Sequence, residues 1–399
     1  MPANRSTMDA LLKDYYLPGV RKTLNDECFL LSQIEAKSDR VEGRQVLMDI
    51  KVGRNQGIGA RADGGTLPAA GNQVTVNAKV ALAYNYGRIQ ISGPLMRSVT
   101  SDKGGFARPL ETETKGVVTD LKKDINRQLY GDATGALATL TAATTAATTL
   151  TVALSSTQLR QIVPGMVIDI FNGGTAQATA VVIQSVTSTT ITLTTSVTAA
   201  SGAKIYRTGS KDAEMDGLAK IVSATGTYLT IDPTVYGVWK STVNANGGTP
   251  RTAVEDLFFA TWQSAHIASG DEIDLWVTTP GIHRSVATDL LNDRRFMPTN
   301  VLKGGYEGVD ISAAGQGRKG SSTVSLVYDQ DAPVKQAFGL CTSRLEFQRA
   351  SDWEFMEEDG AILSRVPNTD AYEATLFLYA QPCTDSRQSH ARIDDLSDS

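Results

Sequence analysis

An α+β fold interrupted by a small all-β insertion is what this 399-residue sequence predicts. Three observations predict it. The first is a motif cut in two: Tyr130-Gly-Asp-Ala-Thr-Gly135 finds its continuation only at Met215-Asp-Gly-Leu-Ala-Lys-Ile-Val222. The second is the block between, whose residues 136–203 hold 17 threonines and only two charged side chains, Arg160 and Asp169. The third is a change of period in the host sequence, from strict alternation over 74–86 to helical spacing from Pro109 to Tyr130.

The length allows two or three domains with buried cores. A net charge of −5 and the lack of a long like-charge run argue against a dedicated nucleic-acid binder. Nucleic acid enclosed by such a chain would meet a local basic patch or simple confinement. Cys28, Cys341 and Cys383 have no paired spacing and no CxxC, which argues against a disulfide framework or zinc site and fits a reducing compartment. The first residues lack an apolar stretch, so no signal peptide is expected. Nowhere do about 18 apolar residues run together, so no membrane-spanning helix is expected.

In chain order, Leu11, Leu12, Tyr15 and Tyr16 stand at helical spacing before Pro18-Gly19, and a second amphipathic run covers Asp26 to Ile34. Such a leading arm packs on its own domain or reaches a neighbour; both readings stand. Gln45 to Val52 reads as a strand, followed by a tip rich in glycine (Gly53, Gly57, Gly59, Gly64, Gly65, Gly71). Val74, Val76, Ala78, Val80, Leu82, Tyr84 and Tyr86 then alternate, giving a strand with one apolar face, more than about 20 Å long at roughly 3.4 Å per residue. At Gly87 the phase flips toward Ile89 and Ile91, as a bulge would cause. A two-stranded ribbon is marginal alone in water, so this one is expected to lie on another subunit. Pro109 fits a first helical turn, Leu110, Val117, Leu121, Ile125 and Leu129 form one stripe, and Gly131 ends the helix.

Within the threonine-rich block, 181–186 and 190–194 read as paired strands, with further strands at 150–154, 166–171 and 203–207 and turns at Pro164-Gly165 and Asn172-Gly-Gly174. A small sandwich or barrel follows. A low-complexity linker is the alternative for Leu137 to Thr149. Beyond Met215, Thr252-Ala-Val-Glu255 reads as a capping box opening a helix that Gly270 stops. Ile273 to Val277 is a buried strand, and Thr279-Pro280 opens a helix to about Arg295. Strands are expected at 324–328, 337–341, 345–348, 362–366 and 371–379, with a polar tail from Cys383 that frays.

Candidate chemistry is sparse. Gly53-Arg-Asn-Gln-Gly57-Ile-Gly59 lacks the Lys-Ser/Thr and the helix of a phosphate loop, so a flexible hairpin tip explains its glycines better. His266, His283 and His390 are the only histidines, no Gly-x-Ser-x-Gly elbow accompanies them, and surface positions are expected for all three. Asp352, Glu354, Glu357, Glu358 and Asp359 lack the pattern of a calcium loop and read as a solvated face. Arg294-Arg295, with Arg284, reads as a solvated helix end, or as a contact to a neighbour's carboxylates or to DNA phosphates. No residue is assigned a catalytic, cofactor or metal role.

Outside the insertion the chain resembles the major capsid proteins of tailed bacteriophages, those with the Hong Kong 97-like fold. The resemblance rests on Arg88-Ile-Gln-Ile-Ser-Gly-Pro-Leu-Met-Arg-Ser98 ahead of the long helix, on Gly131–Gly135 rejoined to Met215-Asp-Gly-Leu218, on Gly270-Asp-Glu-Ile-Asp-Leu-Trp-Val-Thr-Thr-Pro280, and on Ser325-Leu-Val-Tyr-Asp-Gln-Asp-Ala-Pro333. It implies an N-terminal arm (1–40), an extended β-hairpin loop (41–92), a peripheral domain with the spine helix (93–135), the inserted β-domain (136–210), a mainly axial domain (211–345) and a return to the peripheral domain with the C-terminal tail (346–399). It further implies a structural protein, not an enzyme. The protein would be made in the host bacterial cytoplasm, assemble with itself as hexamers and pentamers, and end in the virion as an icosahedral shell around double-stranded DNA held mainly non-specifically. Because the sequence starts almost at the arm, a separate scaffolding protein is expected, with portal and decoration proteins as further partners and no membrane. Some members weld subunits through a hairpin lysine, for which Lys51 and Lys79 are available, and an asparagine, for which Asn368 is; nothing local demands that reaction. An encapsulin-like nanocompartment shell is the alternative on the same fold, and a hydrolase using His266 or His283 the alternative from another class.

Overall fold

The computed structural model describes residues 28–35, 38–41, 45–98, 109–293, 299–301, 307–310, 324–357 and 362–398. The first run of the expected arm, Arg294-Arg295, and Glu358 and Asp359 lie outside them. α1 (Phe29–Glu35) and β1 (Ser38–Arg40) precede the hairpin strands β2 (Gln45–Gly53) and β3 (Val74–Ala81), then β4 (Ala83–Ser92), α2 (Gly93–Ser98) and α3 (Pro109–Tyr130). The insertion supplies β5 (Ala136–Thr139), β6 (Thr144–Thr151), α4 (Ser156–Gln161), β7 (Val167–Asn172), β8 (Thr175–Val186), β9 (Thr190–Ala199) and β10 (Lys204–Arg207). Next come α5 (Leu218–Ile221), β11 (Thr242–Asn244), α6 (Glu255–Ser269), β12 (Leu275–Thr278), α7 (Pro280–Asp293), β13 (Thr299–Val301), β14 (Glu307–Asp310) and β15 (Ser325–Tyr328). The last are β16 (Ala337–Leu340), β17 (Leu345–Arg349), β18 (Glu354–Phe355), β19 (Ser364–Arg365), β20 (Ala371–Thr384) and β21 (Ala391–Ile393). Mixed helices and strands agree with the predicted α+β class.

The chain forms two compact units, one from the described parts of 86–121 and 353–377, the other from those of 27–85, 122–352 and 378–399. In the first, β18 and β19 pair antiparallel with the leading half of β20, Glu354 opposite Phe377 and Ser364 opposite Glu373. Arg88 and Glu373 form an ion pair, and the Gly93 N–H donates to Asp370 O at 2.8 Å. Gly87 is not a bulge: a Cβ there would lie 2.7 Å from Val117 Cγ2, so its glycine answers the close approach of α3. The change of phase comes earlier, at Leu82, where β3 gives way to β4. Buried positions are even up to Val80 and odd from Asn85, which leaves Tyr84 and Tyr86 exposed instead of on the apolar face.

In the second unit a seven-stranded sheet runs β11-β21-β16-β12-β15-β14-β13. β12 is buried along its whole length between parallel β15 and antiparallel β16, as its unbroken Leu-Trp-Val-Thr run requires. Phe258 of α6 meets Trp276 edge to face at 5.0 Å, and Trp262, Ile282, Val286 and Leu326 complete that core. α6 begins at Glu255 with Val254 as its cap residue and no side-chain cap of its own; Asp289 of α7 receives the Glu255 N–H at 3.0 Å. The expected Thr252 capping box is thus replaced by a tertiary one. Gly270 closes α6 in the left-handed region, at φ 79°.

The described chain from Cys383 to 398 is ordered into the sheet and does not fray. β21 is an interior strand, parallel to β11 and antiparallel to β16, and Ala391, Ile393 and Leu396 are buried. Ala-Arg-Ile alternates apolar and polar over too few residues to stand out in sequence, and tertiary pairing decides it.

The insertion is a six-stranded sheet, β5-β10-β7-β8-β9-β6, whose outer strands meet through a Leu140–Val152 bridge and the Thr141 N–H to Thr151 O bond at 3.0 Å. It therefore closes as a barrel around Leu140, Leu150, Ile168, Ile183, Ile191 and Ile205. The Ala/Thr stretch 137–149 belongs to β5 and β6 and is not a linker. Asp169 secures the bulge in β8. Ala180, at φ 53°, donates its N–H to Asp169 Oδ1 at 2.8 Å, and Thr208 Oγ1 and Gly209 N–H donate to the same carboxylate.

The two halves of the cut motif meet. A Cβ on Gly217 would lie 2.5 Å from Gly131 O and 2.6 Å from Gly131 N, so only glycine fits this crossing. The Met215 N–H donates to Gln128 Oε1 at 3.2 Å, and the Asp212 N–H to Thr134 O at 3.0 Å. Arg127 stands between Asp124 at 3.2 Å and Glu214 at 2.5 Å. Burial alone would raise the Asp124 carboxyl, but Arg127 and Arg207 outweigh it and hold it below its usual range.

Candidate assembly surface

The hairpin of β2 and β3 is a two-stranded sheet paired from Gln45↔Ala81 to Gly53↔Val74. On one face of the ribbon Ile50, Val52, Ala78 and Val80 are buried, and the Lys79 N–H donates to Leu229 O at 3.2 Å. The other face and the tip are not covered: Leu47 is 55% exposed, Ile58 79% and Leu67 81%. Those apolar side chains are what an isolated ribbon cannot bury. The tip is built by backbone contact, since a Cβ on Gly71 would lie 2.8 Å from Gly57 N, and Asn55 Oδ1 accepts the Gly57 N–H at 2.6 Å. Two of its glycines thus serve close packing rather than the flexibility expected of them.

The turn that Lys79 meets is rigidly supported. Leu229 and Thr230 adopt φ 50° and 69° in a turn closed by Tyr228 and Ile231. Under this turn Arg387 is fully buried and donates to the carbonyls of Ile221 (3.0 Å), Lys220 (3.1 Å), Gly226 (3.2 Å), Trp239 (3.3 Å) and Thr225 (3.5 Å). Its guanidinium lies 5.3 Å from the Tyr228 ring centroid, and Tyr228 stacks on Trp239. Among the described residues no carboxylate pairs with it, and burial lowers its pKa to about 10. Carbonyl dipoles replace a counter-ion.

A second polar centre ties α1 to α3. Asp329 is buried and accepts from Leu30 N–H (3.2 Å), Tyr130 Oη (2.9 Å), Asn126 Nδ2 (3.3 Å) and Asp331 N–H (2.9 Å). Asn126 Oδ1 accepts the Leu31 N–H at 3.1 Å and its Nδ2 also reaches Asp331 Oδ2 at 2.8 Å. The first turn of α1 is therefore capped from the far side of the sequence.

His266 stacks on Trp262 with Nδ1 3.0 Å from Asp271 O, and His283 meets Tyr328 edge to face, half-buried, its pKa lowered by burial. His390 is fully buried, a correction to its expected surface position: Nδ1 accepts the Cys341 N–H at 3.3 Å and Nε2 bonds Thr384 Oγ1 at 2.9 Å. Burial lowers its pKa to about 4. Asp352 pairs with Arg349 at 2.7 Å, Glu354 and Glu357 are exposed, and no group of metal-ligating side chains occurs among the described residues. Lys51 and Lys79 are exposed; Asn368 is exposed in a turn at φ 60°, a conformation asparagine tolerates. None of the three cysteines forms a disulfide, and burial pushes the Cys383 thiol up to about 12. Sequence reasoning missed Arg387 and the reach of Asn126; the visible signal for the latter was Asn126, Gln128 and Tyr130 lying beside the apolar stripe of α3.

No protein-family model matches the sequence. None of the curated proteins matches it either. Solved structures do. The chain is similar over 99% of its length, and 99% of the other's, to the capsid asymmetric unit of cyanophage A-1(L), with a TM-score of 0.64 and 14% identity. It is similar to the capsid of a native GTA particle (TM-score 0.52, 7% identity, 97% and 96% covered). It is also similar to the SrpI encapsulin of Synechococcus elongatus (TM-score 0.51, 9% identity, 100% and 98% covered). The fold is thus the Hong Kong 97-like fold of tailed-phage capsid proteins, with a small all-β insertion.

Proposed function

We propose that this chain is a major capsid protein that self-assembles, as hexamers and pentamers, into the icosahedral head shell of a tailed bacteriophage around double-stranded DNA. The observation that carries the reading is the hairpin: on a fold similar end to end to a phage capsid subunit, it holds out Leu47, Ile58 and Leu67, which no other described residue buries. Covering a side chain of this size is worth about 2 kcal/mol, and contacts repeated around a capsomer add up without any catalytic residue. In this reading residues 1–40 are the arm, 41–92 the extended loop, 93–135 the peripheral domain, 136–210 the inserted domain, 211–345 mainly the axial domain, and 346–399 the return. Scaffolding, portal and decoration proteins are the partners of assembly, DNA is held mainly non-specifically, and the destination is the virion. No described helix is long and apolar enough to cross a membrane.

The likeness to an encapsulin supports a second reading, a cellular nanocompartment. Deleting 53–71 tests the shared part. The expected result is a folded subunit with native melting that forms few particles; normal particles from the deletion would sink the reading. Nucleic acid inside particles recovered from the native source separates a phage head from a protein-loaded compartment.

A further inference from the structure

The inserted barrel is joined to its host at more than its two ends. α4 opens with a capping box, Ser155 Oγ accepting the Gln158 N–H at 3.2 Å and Gln158 Oε1 accepting the Ser155 N–H at 3.0 Å, which fixes its first turn. From it, buried Thr157 Oγ1 donates to Ala332 O at 3.1 Å, Arg160 donates to Gln330 O, and Gln161 Nε2 lies 3.5 Å from Asp331 Oδ1. Arg160 is one of only two charged side chains between 136 and 203, and the other, Asp169, is used inside the barrel. The loop that α4 grips is the one whose Asp329 caps α1.

We propose that α4 is a brace: by holding the 329–332 loop it fixes Asp329 against the Leu30 N–H, so that the insertion controls the docking of α1, the helix within residues 1–40. The loop needs holding. Burial and the neighbouring Asp329 push the Asp331 carboxyl up, while Asn126, Gln161 and Arg160 favour its charged form, so two of the three groups that steady it come from the insertion. Without them two carboxylates face one another around a single Asn126 amide. The buried Thr157 bond carries more of the brace than Arg160, whose side chain is exposed and screened. The inference does not depend on what the protein encloses, because every contact is within one chain.

Hydrogen exchange of the full chain, followed by mass spectrometry, tests it. In a Thr157→Ala/Arg160→Ala/Gln161→Ala variant, peptides over 28–35 and 325–333 are expected to exchange at least about tenfold faster, while 181–199 in the barrel stays as protected as before. Asp329→Asn is expected to release 28–35 and leave 156–161 protected. Should the triple variant fail to fold, Thr157→Val keeps the side-chain volume, removes one bond, and should give the same pattern in smaller measure. Unchanged protection of 28–35 in a folded triple variant, or in Thr157→Val alongside loosened 325–333, would overturn the brace.

Discussion

Lowering the pH from 7 to 4 is expected to cost this fold about 3 kcal/mol through one side chain, His390. Its ring is fully buried with both nitrogens committed, and burial, only partly opposed by Asp271, takes its pKa from 6.5 to about 4. The unfolded chain regains the ordinary value. Between about pH 6.5 and 4 it therefore binds a proton that the folded chain refuses. A depressed folded-state pKa means that the contribution is whole above pH 6.5 and is lost as the pH falls toward 4. At about 1.4 kcal/mol for each pH unit, the interval gives the figure above, and the ring is buried deeply enough that solvent screening does not reduce it. His390→Gln removes the titration while keeping an amide donor for Thr384. Denaturant unfolding followed by tryptophan fluorescence at pH 7, 5.5 and 4 makes the comparison. The variant should begin less stable at pH 7 yet lose about 3 kcal/mol less than the parent on reaching pH 4. Groups common to both chains, such as Asp331 with its raised carboxyl, cancel. Parallel pH slopes for the two proteins would refute the reasoning.

Gly217→Ala should cost more than about 4 kcal/mol, because the new methyl meets backbone atoms of Gly131 that cannot step aside. Gly237→Ala, which meets nothing within 4 Å, should melt like the parent, and equal melting of both variants would contradict the close-crossing account. Arg387→Met keeps bulk but strips the donors from the carbonyls of Lys220, Ile221, Thr225, Gly226 and Trp239; a loss of about 3 kcal/mol or more is expected, read as a lowered unfolding midpoint. Faster exchange of the Lys79 amide, whose acceptor Leu229 O sits on the turn above, should accompany it.

Long, strongly patterned elements were readable from sequence because one physical rule governs each. α3 starts at its proline and stops before Gly131, and the barrel strands follow their β-branched runs between glycine turns. α4 was missed although Ser155-Ser-Thr-Gln158 is a capping box, because its six residues lie hidden among strands. What sequence could not yield are the places where distant partners decide. Asp289 caps α6 in place of Thr252, Asp329 caps α1 across 299 positions, and β21 is a strand only because β11 and β16 flank it. Arg387 belongs with these: a lone arginine in a polar tail carries no mark of burial until five carbonyls converge on it. The candidate assembly surface was half legible. The glycine-rich hairpin stood out, but the switch of phase at Leu82, and with it the exposure of Tyr84 and Tyr86, depends on where β3 ends.

Electron microscopy of the purified full-length protein, kept at moderate salt to screen the −5 charge of each subunit, addresses the central claim most directly. Closed, uniform icosahedral shells with the hairpin of one subunit lying over the next are the expected result. A population consisting only of monomers or small oligomers, with the hairpin free under every assembly condition tried, would contradict it.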